Sequence, residues 1–226
     1  MSGVLAGAAS ATPLSLDYLG AASGYRYLQV KGAPINPVGG GDLPDNVLAG
    51  AFLVKDDTVG SSFGTFVAWC LDMTHWMDTG GDAPYVTTDT PFATSYGLTG
   101  AAKARIQAFF DANYFAGLES DRERSAGFQM GLWEALYDDN FDLTAGGFWG
   151  MPLNGADQAA FGLAQGYLAA AKTFAGAKAW NLTFLESQSS SQNLVTVAAV
   201  PLPAAGLLLA AGLFGLGMAR RRRNAS

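Results

Sequence analysis

The chain has one cysteine and one histidine, so thiol or imidazole chemistry must use Cys70 and His75. A lone thiol cannot close an internal disulfide or build a Cys-rich zinc site. It is buried, reactive, or bonded to something other than sulfur. Cys70 lies in Phe66-Val67-Ala68-Trp69-Cys70-Leu71-Asp72, an apolar stretch of strand character, and Asp72 is placed on the same strand face two residues on. The second unusual residue is Gln129, in Phe128-Gln129-Met130-Gly131-Leu132-Trp133. At helical spacing Ala126, Gln129 or Met130, Trp133, and Leu136 or Tyr137 share one face, which puts an uncharged amide inside an apolar stripe. Burying such a group without partners costs about 1–3 kcal/mol, and Met or Leu would fill the space without that penalty. Cys70 and Gln129 are therefore expected to meet. Taken singly, each has an ordinary explanation: free cysteines are commonly buried, and a helical glutamine often bonds a nearby backbone. A cysteine hydrolase built from Cys70 and His75 ranks last, because five residues of separation at a strand end seldom gives a productive pair and no orienting Asn or Asp can be assigned.

The elements that must position these residues follow from periodicity. Strands are expected from residue 15, over 24–30, 46–54 and 63–73, with 55–61 as a hairpin turn and 84–88 as a further short strand. The glycine run at 39–41 lacks a following Lys-Ser/Thr and is read as a loop, not a phosphate cradle. The period then changes to helical over 98–110, with Thr99 as cap, over a central helix from Ser120 or Asp121 to Tyr137, and over 157–174. Asp138-Asp139-Asn140-Phe141-Asp142 lacks the glycine and distant Glu of a calcium loop and reads as an exposed acidic turn. Closing strands are expected over 180–186 and 193–200. Strands, helices, strands in that order predict an α+β domain, a mainly antiparallel sheet or sandwich carrying a helical insert.

With 226 residues, half of them hydrophobic, the chain can bury a full core. Nine basic residues precede the last seven, against nineteen acidic ones, so the part before the tail carries a net charge of −10 and disfavours nucleic acid. Residues 1–11 read as a truncated signal-peptide remnant with Ala9-Ser10-Ala11 as cleavage site, and 12–198 as the exported domain. Residues 201–219 are uncharged and, as a helix, would extend roughly 28 Å, enough to cross a bilayer. Arg220, Arg221, Arg222 and Arg223 follow and would hold that end on the cytoplasmic side, leaving the domain outside. Val200-Pro201-Leu202-Pro203-Ala204, the span and the arginine run together resemble the VPLPA variant of the PEP-CTERM sorting signals of Gram-negative bacteria. Residues 199–226 would then be a sorting signal with a transmembrane helix. The resemblance implies export, recognition by an exosortase-type membrane protease, and a final place at the cell surface or in the extracellular matrix.

The stretches around Cys70 and Gln129 together resemble the thioester domains of bacterial surface adhesins. In that family a strand cysteine after an aromatic residue is bonded to a glutamine in a Thr-Gln-x-Ala-apolar-Trp helix. Cys70 and Gln129 take those positions, with Phe128 in place of the threonine and Gly131 in place of the alanine. The resemblance implies that the Cys70 thiolate attacks the Gln129 carboxamide, ammonia leaves, and an acyl-sulfur bond persists while water is excluded. Trp69, Phe128, Leu132 and Trp133 are the expected shield, and Asp72 and His75 the candidates for assisting proton transfer. An amine or hydroxyl of a protein or polysaccharide partner would displace Cys70 and leave the domain attached through Gln129. That is single-use acylation, so no enzyme, cofactor or metal is expected. The competing expectation is a non-covalent matrix or adhesion protein in which Cys70 and Gln129 merely pack.

Overall fold

The computed structural model describes residues 12–35, 45–61, 63–88, 92 and 98–199. Its first half is built from strands whose inward positions are apolar. β1 (Pro13–Ala21) turns Leu14 and Leu16 into the core, and a bulge after Tyr18, with Gly20 at φ 128°, bends it onto its partner. β4 (Phe52–Asp56) and β5 (Thr65–Cys70) form the expected hairpin. The Asp56 carboxylate organises its turn by accepting from the Thr58 N–H at 3.0 Å and from the Ser61 hydroxyl. β6 (Ala83–Thr88), β8 (Trp180–Ser187) and β9 (Leu194–Ala199) complete an antiparallel closed barrel in the order β1-β4-β5-β9-β8-β6. Closure leaves no barrel edge open to pairing with another chain.

A second antiparallel sheet has β2 (Arg26–Gly32) at its centre, between β3 (Asp45–Ala49) and β7 (Trp149–Pro152). The single strand expected over 46–54 is in fact two, β3 and β4, one in each sheet. The break falls at Gly50-Ala51. A Cβ at Gly50 would stand 2.8 Å from the Gly24 carbonyl oxygen, and the Ala51 N–H leaves strand pairing to donate to Ser125 Oγ at 2.9 Å. The strand β7 was not anticipated; the sequence placed no element there.

The helical insert lies between β6 and β8 in sequence, as expected for an α+β domain. α1 (Gly100–Asn113) is capped by Thr99, whose hydroxyl oxygen accepts from the Ala102 N–H at 3.1 Å. α2 (Arg122–Tyr137) is capped by Asp121 through the Arg124 N–H at 2.9 Å, and α3 is Gln158–Lys172. The sequence suggested an apolar stripe for α2. Instead every residue from Ser125 to Tyr137 is buried, because α1, α3 and the sheets enclose the helix on all sides. Two glycines permit this. A Cβ at Gly127 would stand 2.7 Å from the Ala160 carbonyl oxygen of α3, and one at Gly131 would stand 2.8 Å from the Phe109 ring of α1.

No helix among the described residues is long and apolar enough to cross a membrane. The signal remnant at 1–11, the motif Val200-Pro201-Leu202-Pro203-Ala204, the span at 201–219 and Arg220 to Arg223 all lie outside the described residues.

Candidate functional site

Cys70 is the last residue of β5, where the barrel wall meets α2. Its N–H donates to Gln129 Oε1 at 2.8 Å, and Gln129 Nε2 donates back to the Cys70 carbonyl at 2.9 Å. The carboxamide thus pairs with the peptide of Cys70 as a neighbouring strand would, on the side of β5 where the ladder to β4 ends at the Phe52–Ala68 pair. Gln129 is fully buried and Cys70 is 1% exposed. The two residues expected to meet do meet, main chain to side chain, in a place water does not reach.

The thiol itself turns to the chain just beyond the strand. Sγ donates to the Asp72 carbonyl at 3.0 Å, and the Asp72 N–H points back at Sγ at 3.3 Å. Burial pushes the Cys70 thiol up to about 12, and the Asp72 charge adds to that; the Asp72 N–H and the Trp133 indole act in the opposite sense. Trp133 Nε1 acts on the thiol without closing a full hydrogen bond and has no other partner. A thiol held this high is protonated at neutral pH and is not the activated nucleophile of a hydrolase. The same surroundings suit a sulfur in a neutral acyl bond, because they penalise its departure as thiolate.

Asp72 and His75 are brought together, but with each other. Asp72, fully buried, accepts from the Thr74 N–H at 2.7 Å and the Thr74 hydroxyl at 2.6 Å through Oδ1, while Oδ2 pairs with His75 Nδ1 at 2.7 Å. The aspartate reaches the thiol through its backbone and the histidine through its carboxylate.

All four side chains assigned to shielding are buried. Trp69 and Phe128 pack with ring centroids 4.6 Å apart, and Phe128 also meets Phe109 at 4.8 Å and Phe110 at 5.0 Å. Phe109 fills the space beside Gly131, so the two departures from the adhesin helix pattern, Phe128 and Gly131, belong to one packing solution. Leu132 is fully buried, and Trp133 is 2% exposed.

Sequence reasoning missed several positioning residues. Asn193 accepts from the Leu71 N–H at 2.9 Å through its carbonyl and from the Ser187 N–H at 2.7 Å through Oδ1, which fixes the strand end. Tyr137 accepts from the Met73 N–H at 3.1 Å. Tyr137 lies eight residues after Gln129 on the same helix face, and that spacing was a readable signal. Nothing local in the sequence marked Asn193. Among the described residues no cluster of His, Cys, Asp or Glu is arranged to hold a metal ion.

No protein-family model matches the chain, and no curated protein does. Among solved structures the chain is similar to the N-terminal thioester domain of a surface protein from Clostridium perfringens, at a TM-score of 0.44 and 13% identity over 84% of this chain and 100% of that one. It is similar too to the N-terminal domain of the Streptococcus pyogenes pilus tip adhesin Cpa, at 0.43 and 13% over 79% and 96%. The N-terminal thioester domain of fibronectin-binding protein SfbI from Streptococcus pyogenes gives 0.42 and 14% over 78% and 95%.

Proposed function

We propose that this is an exported surface or matrix protein whose domain forms an internal thioester between Cys70 and Gln129 and uses it for covalent attachment to a partner. One observation carries the reading. The only cysteine has a glutamine carboxamide docked on its own peptide group by two hydrogen bonds of 2.8 and 2.9 Å, inside a water-excluded core. In the forming step the Cys70 sulfur bonds to the Gln129 carbonyl carbon, the C–N bond breaks, and the amide nitrogen leaves as ammonia with the thiol proton. In the capture step an amine or hydroxyl adds to that carbon, the C–S bond breaks, and Cys70 regains a proton. On this reading Asp72 and His75, hydrogen-bonded to each other beside the thiol's backbone partner, assist these proton transfers. The protein acts once and is not an enzyme.

Before capture, the tail at 199–226 would hold the domain on the outer side of the inner membrane until an exosortase-type protease processes it. The partner is a protein or polysaccharide of the surface or matrix, and no nucleic acid is involved.

A second reading is favoured by the satisfaction of the site as it stands. Both polar atoms of the Gln129 carboxamide, and Sγ of Cys70, already have partners without a covalent bond. On that reading the protein is a non-covalent adhesion or matrix module in which Gln129 caps a strand end. Thiol titration separates the two. Protein unfolded rapidly at mildly acidic pH should show no thiol before methylamine treatment and one after it. One free thiol before treatment contradicts the thioester.

A further inference from the structure

A cleft of about 350 Å³ includes in its lining Trp133 of the shielding set and Met73 of the turn that follows Cys70. Trp133, one helical turn beyond Gln129, lines the cleft and acts on the thiol. Met73 lines it just past the turn that holds Sγ, and Gln192 lines it next to Asn193, which fixes Leu71. A molecule seated in the cleft would rest against Trp133 on the helix of Gln129 and against Met73, next to the Asp72 backbone that holds the thiol.

The lining states what such a molecule is. None of the described side chains around the cleft carries a formal charge, although the protein before the tail carries −10. Flat aromatic faces dominate: Trp76 is 67% exposed and Tyr27 41%, and Tyr25 lies further in with its hydroxyl bonded to that of Tyr18. Gln192 Oε1 is buried without a partner. Exposed aromatic faces backed by neutral amides and hydroxyls, with no counter-ion, match a ligand having apolar C–H faces and a rim of hydroxyls. A lysine ammonium would gain some attraction from the rings, but it would shed water with no carboxylate to meet it and would then still have to lose its proton. A hydroxyl arrives neutral. It is the weaker nucleophile and needs a base, and His75, oriented by Asp72, sits in the turn between Met73 and Trp76.

We infer that this cleft binds a neutral saccharide and presents one of its hydroxyls to the Cys70–Gln129 bond, so that capture yields an ester; this rests on the thioester reading above. The hydroxyl oxygen bonds to the Gln129 carbonyl carbon, the C–S bond breaks, and the hydroxyl proton ends on the Cys70 sulfur, with His75 as the base that takes it up first.

The test uses the full chain with maltohexaose, cellohexaose, chitohexaose and Nα-acetyl-lysine as probes. Binding is read by tryptophan fluorescence on Cys70→Ala, which cannot form the bond, and capture by intact mass on the wild type. The expected result is saturable binding of at least one hexasaccharide by Cys70→Ala, weakened about tenfold or more when Trp76→Ala and Tyr27→Ala are added. Wild type should gain the mass of that saccharide in a bond cleaved by mild alkali. His75→Ala should retain binding and lose capture. Absence of saturable binding of all three hexasaccharides, or binding indifferent to loss of Trp76 and Tyr27, overturns the saccharide site. Alkali-stable capture of Nα-acetyl-lysine in preference to every saccharide overturns it in favour of a protein partner. Saccharide binding by the cleft in a chain with no free-acid or acyl modification at Gln129 overturns the thioester reading and leaves the saccharide site standing.

Discussion

At the scale of single residues, the placement of Gln129 explains why an amide occupies the middle of a buried helix. Its two polar atoms are spent on the N–H and C=O of Cys70, so a nearly isosteric apolar replacement strands two buried backbone groups at once. Compared within Cys70→Ala, where no acyl bond can form, Gln129→Leu is expected to lower stability by about 2–4 kcal/mol, read as a shift of the urea midpoint at unchanged slope. A loss below half a kilocalorie would mean that the backbone finds other partners and that the pairing is incidental. The meeting of Cys70 and Gln129 was legible because an amide was out of place in an apolar helix while the chain's one thiol lay in an apolar strand. The direction of the thiol was not, since it is set by the backbone of Asp72 after the strand has ended. The Asp72–His75 pair was half legible: both residues were candidates by proximity in sequence, but their contact with each other depends on the turn through Thr74.

At the scale of elements, α2 is the part on which the site depends, and its two glycines set how closely α1 and α3 approach. Gly127→Ala places a methyl against a backbone carbonyl oxygen of α3, which cannot turn aside, whereas Gly131→Ala meets the Phe109 ring. Both are expected to destabilise by about 1–3 kcal/mol, Gly127→Ala by more, despite the better helix propensity of alanine. Thermal melts of the two variants check the order, and a stabilised Gly127→Ala would show that the helices are not in close contact there. All-round burial was hardly legible, because outside the apolar stripe Ser125, Gly127, Gly131 and Glu134 break the run of apolar residues. The same limit hid the β3–β4 break. Propensity supports one strand through 46–54, and only the tertiary bond from the Ala51 N–H to Ser125 Oγ, with the approach of Gly50 to Gly24, divides it between two sheets.

For the whole molecule, alternating strands on either side of a helical insert were enough to anticipate an antiparallel α+β domain, but not a closed barrel, since closure requires the pairing of β1 with β6 across some seventy residues. The cleft was equally invisible, because Tyr27, Trp76, Trp133 and Gln192 come from four distant segments. Global stability should carry the mark of one buried acid. Burial raises the Glu134 carboxyl to about 8, with Asp138 and Asp142 adding to it, while the Asp142 N–H and Arg105 oppose. The folded state thus holds a proton that the unfolded state has released, and stability should fall as pH rises from about 4.5 to about 8. Denaturation midpoints across that range should flatten in Glu134→Gln, and an unchanged slope would assign the pH dependence elsewhere. The central claim, a covalent Cys70–Gln129 bond, is tested most directly by the intact mass of the chain purified without added amines, beside Cys70→Ala and Gln129→Ala. A wild-type mass about 17 Da below that of its sequence, with no deficit in either variant and replacement by an adduct on methylamine treatment, is the predicted result. A wild-type mass equal to that of its sequence, with one thiol titratable after unfolding and no conversion of Gln129 to glutamate, would contradict it.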